Sequence, residues 1–219
     1  MVEAITLHDV LPQVFHGMEH EEPICLSGVW MRQVEFRRGV SYMVRAESGT
    51  GKSSLLSFIY GLRSDYSGCI RYDGKDIRTF SAQDWGHVRC RSVALLPQEM
   101  CLFPELTVRE NIEIKNRLTG CKSADEIFEM LCTLELDHKA DVEVGRLSLG
   151  QQQRVALVRT LCQPFDFLLM DEPVSHLDSR NNAIVSRLVE RQVAATGAGV
   201  IVTSVGYDMA LDGLVEIKL

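Results

Sequence analysis

The sequence predicts an α/β fold built around a loop that cradles phosphates, and three stretches predict it. "VSYMVR" (40–45) reads as a strand, "AESGTGKS" (46–53) as a tight glycine-containing loop, and "KSSLLSFIYGL" (52–62) as a helix with apolar residues at 55, 56, 59, 60 and 62. "FDFLLM" (165–170) is a near-continuous apolar run ending in Asp171-Glu172-Pro173, the pattern of a parallel strand covered on both faces. A helix over about 181–195, with Ile184, Val185, Leu188 and Val189 inward, then leads to a buried strand "GVIVTS" and a terminal "LVEIKL".

Ahead of the loop, alternation at Ile5 and Leu7 and again at Ile24 and Leu26 predicts an antiparallel β-layer, connected through Pro12 and "HGMEHEE". After it, "SVALLPQ" (92–98) is a further strand. Thr107 with Glu110, Ser123 with Glu126, and Ser148 with Gln151 each have the spacing of a capping box, so residues 80–165 read as a mostly helical subdomain inside the α/β chain. There is no internal repeat and no low-complexity tract.

Composition sets the outer bounds. A chain of 219 residues fits one domain, and 46% apolar, 24% charged and 7% aromatic residues are ordinary globular usage. A net charge of −7 argues against broad electrostatic capture of nucleic acid, which needs clustered Lys and Arg. Residues 1–22 lack the basic, apolar and small-residue order of a signal peptide. The longest uncharged run, 192–207, is broken by Gly197, Gly199 and Gly206, unlike a spanning helix, so the chain is expected in the cytosol. The seven cysteines form no C-x-x-C pair, and their odd number fits reduced thiols.

The chemistry lies in three places. Residues 46–53 match G-x-x-x-x-G-K-[ST] except at the first position, Ala46. In such a loop successive amides point inward at phosphates, Lys52 reaches the outer ones and the Ser53 hydroxyl meets Mg²⁺, beside the positive end of the helix. A residue with a Cβ at position 46 would cost about 1–2 kcal/mol if that position had to be left-handed. Asp171 and Glu172, adjacent at a strand end, can aim one carboxylate at the metal and the other at the attacking water. "LSLGQQQR" (147–154) is either a well-capped helix or an anion site at a helix N-terminus.

Taken in order, these stretches resemble the ATP-binding subunit of ABC transporters. "AESGTGKSS" resembles its Walker A, Pro97-Gln98 its Q-loop, "LSLGQQQR" its signature, "FLLMDEP" its Walker B and "SHLD" (175–178) its D-loop. "LFPELTVREN" is similar to the lipoprotein-releasing and macrolide-export type. The resemblance implies a P-loop NTPase fold of the ABC ATPase type, one domain over 1–219 with an N-terminal antiparallel β-layer and a helical subdomain. It implies Mg-ATP held by Glu47, Ser48, Gly49, Thr50, Gly51, Lys52, Ser53 and Ser54, with Ser53, Gln98 and Asp171 around the metal. Glu172, Gln98 and Ser204 would then face the reacting phosphate. Two copies would meet head to tail, each presenting Ser148, Gly150 and Gln151 to the other's ATP, with Asp178 in the D-loop between them. A membrane permease would dock near Leu102, Phe103, Pro104 and Glu105 and hold the chain on the cytoplasmic face of the inner membrane. Adenine would stack on an aromatic residue, Phe15 first, with Trp30 and His16 as alternatives.

The match departs from the family at four positions. Ala46 replaces a loop glycine, Leu149 the first signature glycine, and Val14 stands where the stacking aromatic falls, one place before Phe15. Ser204 stands where the family carries a histidine that touches the γ-phosphate, and all six histidines (8, 16, 20, 87, 138, 176) precede that strand. A serine hydroxyl is shorter and never cationic. Two functions therefore follow: a transporter ATPase, or a nucleotide-gated scaffold with little or no hydrolysis. A DNA-repair or chromosome-organising ATPase is set aside, because the interval between Gln98 and Ser148 has no room for a long coiled coil.

Overall fold

A computed structural model describes residues 1–219 except Pro23 and Ser48. The chain begins with an antiparallel layer. Strand β1 (Ala4–Pro12) lies between β2 (Gln33–Arg37) and β4 (Tyr66–Tyr72), and a short β5 (Lys75–Asp76) extends β4. The layer is where the sequence predicts it, but its second strand is not at 24–26. Those residues form turns: Ser27 Oγ accepts the amides of Val29 and Trp30 at 3.0 and 2.8 Å, and Leu26 stays 54% exposed. Two alternating apolar residues are too few to outweigh a side chain that caps its own turn. Strand β4 carries no clear alternation, since Gly68 and Cys69 interrupt it, and pairing with β1 across the bulge between His8 and Leu11 is what makes it a strand.

The second sheet is entirely parallel. Its order is β6 (Val93–Leu96), β7 (Phe167–Asp171), β8 (Gly199–Ser204), β3 (Ser41–Arg45), β9 (Val215–Lys218). Successive residues of its inner strands serve two different cores. Val93, Phe167, Leu169 and Ile201 pack with the antiparallel layer and helix α1 (Lys52–Ile59), while Ala94, Leu168, Met170, Val200 and Val202 pack with the helices on the other face. This two-sided burial explains why β7 and β8 read as continuous apolar runs.

The 80–165 region holds α2 (Ala82–Arg91), β6, α3 (Val108–Asn116), α4 (Ala124–Thr133) and α5 (Leu149–Leu161), followed after β7 by α6 (Ser179–Thr196). The capping boxes at Thr107, Ser123 and Ser148 form as the spacing predicts, and Ser81 with Asp84 forms another on α2. Helix α1 ends at Ile59, so Leu62 lies beyond it and is exposed. Among the described residues no helix is long and apolar enough to cross a membrane.

Candidate nucleotide site

Register brings the predicted site together. Asp171 pairs with Thr203, Arg45 with Ser204 and Leu96 with Met170, so β3, β6, β7 and β8 end along one edge of the sheet. The 46–51 loop leaves β3 at that edge and turns into α1. Gly49 and Gly51 carry φ of 85° and 98°, the left-handed region that a Cβ disfavours. Ala46 is not in that region, so the backbone cost considered for it does not arise. Its amide donates to the Ser204 carbonyl at 3.2 Å and its side chain packs half-buried against the core.

The loop is pinned from below by Trp30, which is 1% exposed and donates its indole N–H to the Thr50 carbonyl at 3.0 Å. That makes Trp30 a core residue. A Cβ on Gly51 would stand 3.0 Å from the Trp30 ring and 3.3 Å from that of Phe15, which places Phe15 half-buried beside the loop. Val14 is exposed. The predicted contact Ser48 lies outside the described residues.

Lys52 is buried at the centre. Its Nζ donates to the carbonyls of Glu47 and Ala46 at 2.8 and 3.3 Å and lies 4.0 Å from Glu172 Oε1. Burial holds its pKa below the usual lysine range, while the charges of Glu172 and Asp171 oppose that shift. Asp171 Oδ1 accepts the Thr203 hydroxyl at 2.6 Å. Glu172 adopts φ 49°, rare for a residue with a side chain, and its amide donates to the Thr203 carbonyl at 3.3 Å. Strain of this kind concentrates at functional positions. Ser53 is exposed in the first turn of α1, and Ser54 accepts from Arg63 at 2.9 Å. One ammonium, one exposed hydroxyl and two carboxylates beside a glycine-rich loop form a donor set that fits a magnesium-bound triphosphate. A cavity of about 790 Å³ touches this loop at Ala46, Glu47 and Thr50, but neither Lys52 nor the two acids line it. It flanks the phosphate cradle rather than forming it.

The remaining predicted residues divide. Ser204 is 2% exposed; its hydroxyl donates to Asp208 at 2.9 Å and accepts from the Gly206 amide at 3.1 Å, and Arg45 holds Asp208 at 2.7 Å. The hydroxyl is thus committed to the turn after β8. Gln98 is exposed just beyond β6. Ser148 caps α5, and Gln151 Oε1 accepts the Ser148 amide at 3.1 Å, so Gln151 is engaged in the box. Asp178 caps α6; hydrogen bonds from Asn181, its backbone amide above all, hold the Asp178 carboxyl below its ordinary pKa. Of the docking stretch, Leu102 is half-buried while Phe103, Pro104 and Glu105 are exposed, and the fully buried Asn111 ties it down through both Phe103 backbone groups at 2.9 Å.

Two groups escaped the sequence reading. Asn111 is one. The other is Gln153, whose amide donates to the Glu172 carbonyl at 3.0 Å and accepts from the His176 amide at 3.2 Å, so α5 holds both the acid turn and the 175–178 loop. The available signal was spacing: Gln153 lies three residues after Gly150, on the same helix face, where a buried polar side chain needs a partner.

Fold and site together define a P-loop NTPase. The family model for ABC transporters matches residues 32–175, and the chain belongs to that family as one of its ATPase cassettes. It is 31% identical over 209 residues to the macrolide export ATP-binding/permease protein MacB of Nitrosomonas europaea, covering 93% of this chain and 31% of that protein. It is 33% identical over 162 residues to the lipoprotein-releasing system ATP-binding protein LolD 1 of Chlorobium chlorochromatii, covering 72% and 66%. The chain therefore spans about a third of the first relative's length and just under two thirds of the second's. A dimeric post-hydrolysis structure of the ATP-binding cassette MJ0796 with ADP and Pi superposes with a TM-score of 0.73 at 23% identity, over 96% of both chains, and establishes the fold.

Proposed function

We propose that residues 1–219 act as a single ATPase domain that binds Mg-ATP on the 46–53 loop and closes head to tail on a second copy. Hydrolysis then drives a permease seated at 102–105, which holds the chain on the cytoplasmic membrane face. One observation carries this reading: the Lys52 ammonium, from the first turn of α1, and the Glu172 carboxylate, from the end of β7, converge to 4.0 Å at the loop. Lys52 exchanges the carbonyls of Ala46 and Glu47 for the outer phosphates, and the loop amides take the inner ones. Mg²⁺, held by Ser53, Asp171 and Gln98, supplies charge neutralisation when bound. Glu172 accepts the proton of the attacking water, and Ser148 and Gly150 of each copy face the other's nucleotide. Phe15 stacks on the base.

Calorimetry with Mg-ATP tests the site. Lys52→Ala is expected to abolish the heat of binding, and heat equal to wild type would sink the reading. Glu172→Gln is expected to bind ATP, form dimers visible by light scattering, and release phosphate at least about a hundredfold more slowly. Phosphate release matching wild type would remove Glu172 from the mechanism.

A second reading, a nucleotide-gated scaffold with little hydrolysis, is favoured by the Ser204 hydroxyl being bonded to Asp208 and Gly206 rather than free for a phosphate. On this reading Ser204→His raises a negligible turnover by about tenfold or more, and Ser204→Ala leaves it negligible. Steady wild-type turnover that neither change alters would decide for the transporter ATPase.

A further inference from the structure

An exposed imidazole is held in place by a chain of hydrogen bonds at the 175–178 loop. Gln153 Nε2, which donates to the Glu172 carbonyl at 3.0 Å, also donates to Ser175 Oγ at 3.4 Å, and Ser175 Oγ lies 3.1 Å from His176 Nδ1. Because the Ser175 oxygen already accepts from an amide, its own proton is the one directed at Nδ1. That bond fixes the tautomer: the proton of the neutral ring sits on Nε2. Among the described residues Nε2 has no hydrogen-bond partner, and the side chain is exposed. One ring nitrogen is oriented and the other is left as an outward donor, which prepares the imidazole to bond an incoming group.

The position of the ring identifies that group. The His176 carbonyl is the atom that a Cβ on Gly150 would meet, at 2.9 Å, and the His176 amide is held by Gln153 Oε1 at 3.2 Å. His176 therefore shares an edge with the start of α5, whose Ser148 and Gly150 face the second copy's nucleotide in the head-to-tail arrangement. Within one chain the turn after β8 offers the nucleotide nothing comparable, since Ser204 Oγ is bonded to Asp208 at 2.9 Å and to the Gly206 amide at 3.1 Å. Each site lacks a free donor after β8 and meets an oriented one across the dimer.

We propose that His176 of each copy completes the active site of the other, its Nε2–H donating to a peripheral oxygen of the γ-phosphate. This rests on the head-to-tail ATPase reading above and makes His176 a catalytic residue that acts across the dimer. As water attacks the γ-phosphorus and the bond to the bridging oxygen of ADP breaks, Glu172 takes the proton of the water. The Nε2 proton stays on the ring and holds the charge carried by the phosphate oxygens, and ADP and inorganic phosphate leave.

Paired mixtures of the full chain test it. His176→Ala alone is expected to release phosphate about a hundredfold more slowly than wild type. Its heat of Mg-ATP binding and its thermal midpoint are expected to stay unchanged, because truncating an exposed ring removes no core packing. A Lys52→Ala copy keeps His176 but holds no ATP of its own. Mixed with His176→Ala, it is expected to restore turnover at least about tenfold above either variant alone, because the live nucleotide then meets a histidine from the other copy. The double variant with both Lys52→Ala and His176→Ala, mixed in the same way, is expected to restore nothing. Equal turnover in the two mixtures overturns the proposal, as does a His176→Ala rate equal to wild type or negligible turnover in wild type itself. Failure of the head-to-tail reading shows itself separately, as an ATP heat that survives Lys52→Ala or as a Glu172→Gln variant that forms no dimers with ATP.

Discussion

A methyl group on Gly150 would stand 2.9 Å from the His176 carbonyl oxygen and 3.3 Å from Leu177 Cδ2, so α5 meets the 175–178 loop only because that Cβ is missing. Gly150→Ala must displace the loop, and Gln153 resists the displacement by holding His176 and Glu172. A stability loss of about 1–3 kcal/mol is expected in denaturant melts, with weaker ATP-driven pairing by light scattering. Unchanged stability would show that the loop yields freely. The same scale explains Leu149 in place of a glycine: its side chain is exposed and meets no such obstacle.

Among the elements, helices α2, α3 and α4 start on boxes closed by carboxylates, whereas α5 starts on one closed by Gln151. Bonds from the capping residues hold Asp84, Glu110 and Glu126 below their ordinary pKa. Because these folded values are depressed, the boxes contribute stability that is fully present above the ordinary values, 3.8 for Asp and 4.5 for Glu, and is lost as pH falls through the lower folded values. Glu110→Gln with Glu126→Gln is therefore expected to flatten the acid side of a plot of thermal midpoint against pH, with little change at neutrality. An identical acid limb would place the acid sensitivity elsewhere. The start of α5 carries no such titration, which leaves that helix start indifferent to mild acid on this account.

In the whole molecule, the central sheet joins two cores that neither face could form alone. Leu168 and Leu169 are neighbours in β7, yet the first packs with the helical side and the second with the antiparallel layer, both fully buried. Truncating either to alanine is expected to cost about 2–5 kcal/mol and to shift one and the same cooperative transition. Two separated transitions in either variant would show that the faces unfold independently and would count against 1–219 as a single domain.

The strand–loop–helix at 41–59, three capping boxes and the buried strands β7 and β8 lie where local pattern predicts them. They depend on residues within a few positions of one another, and short-range dihedral preference and periodicity encode such features directly. The pairing of β4 with β1, the conformation of Ala46 and the engagement of Ser204 with Asp208 and Arg45 depended instead on the packed chain. The physical reason is that a side chain's hydrogen-bond partner and a strand's neighbour are set by which distant segments share a surface. Lys52 and Glu172 carry their chemistry in their residue types, but only the parallel register of the sheet brings them to one loop.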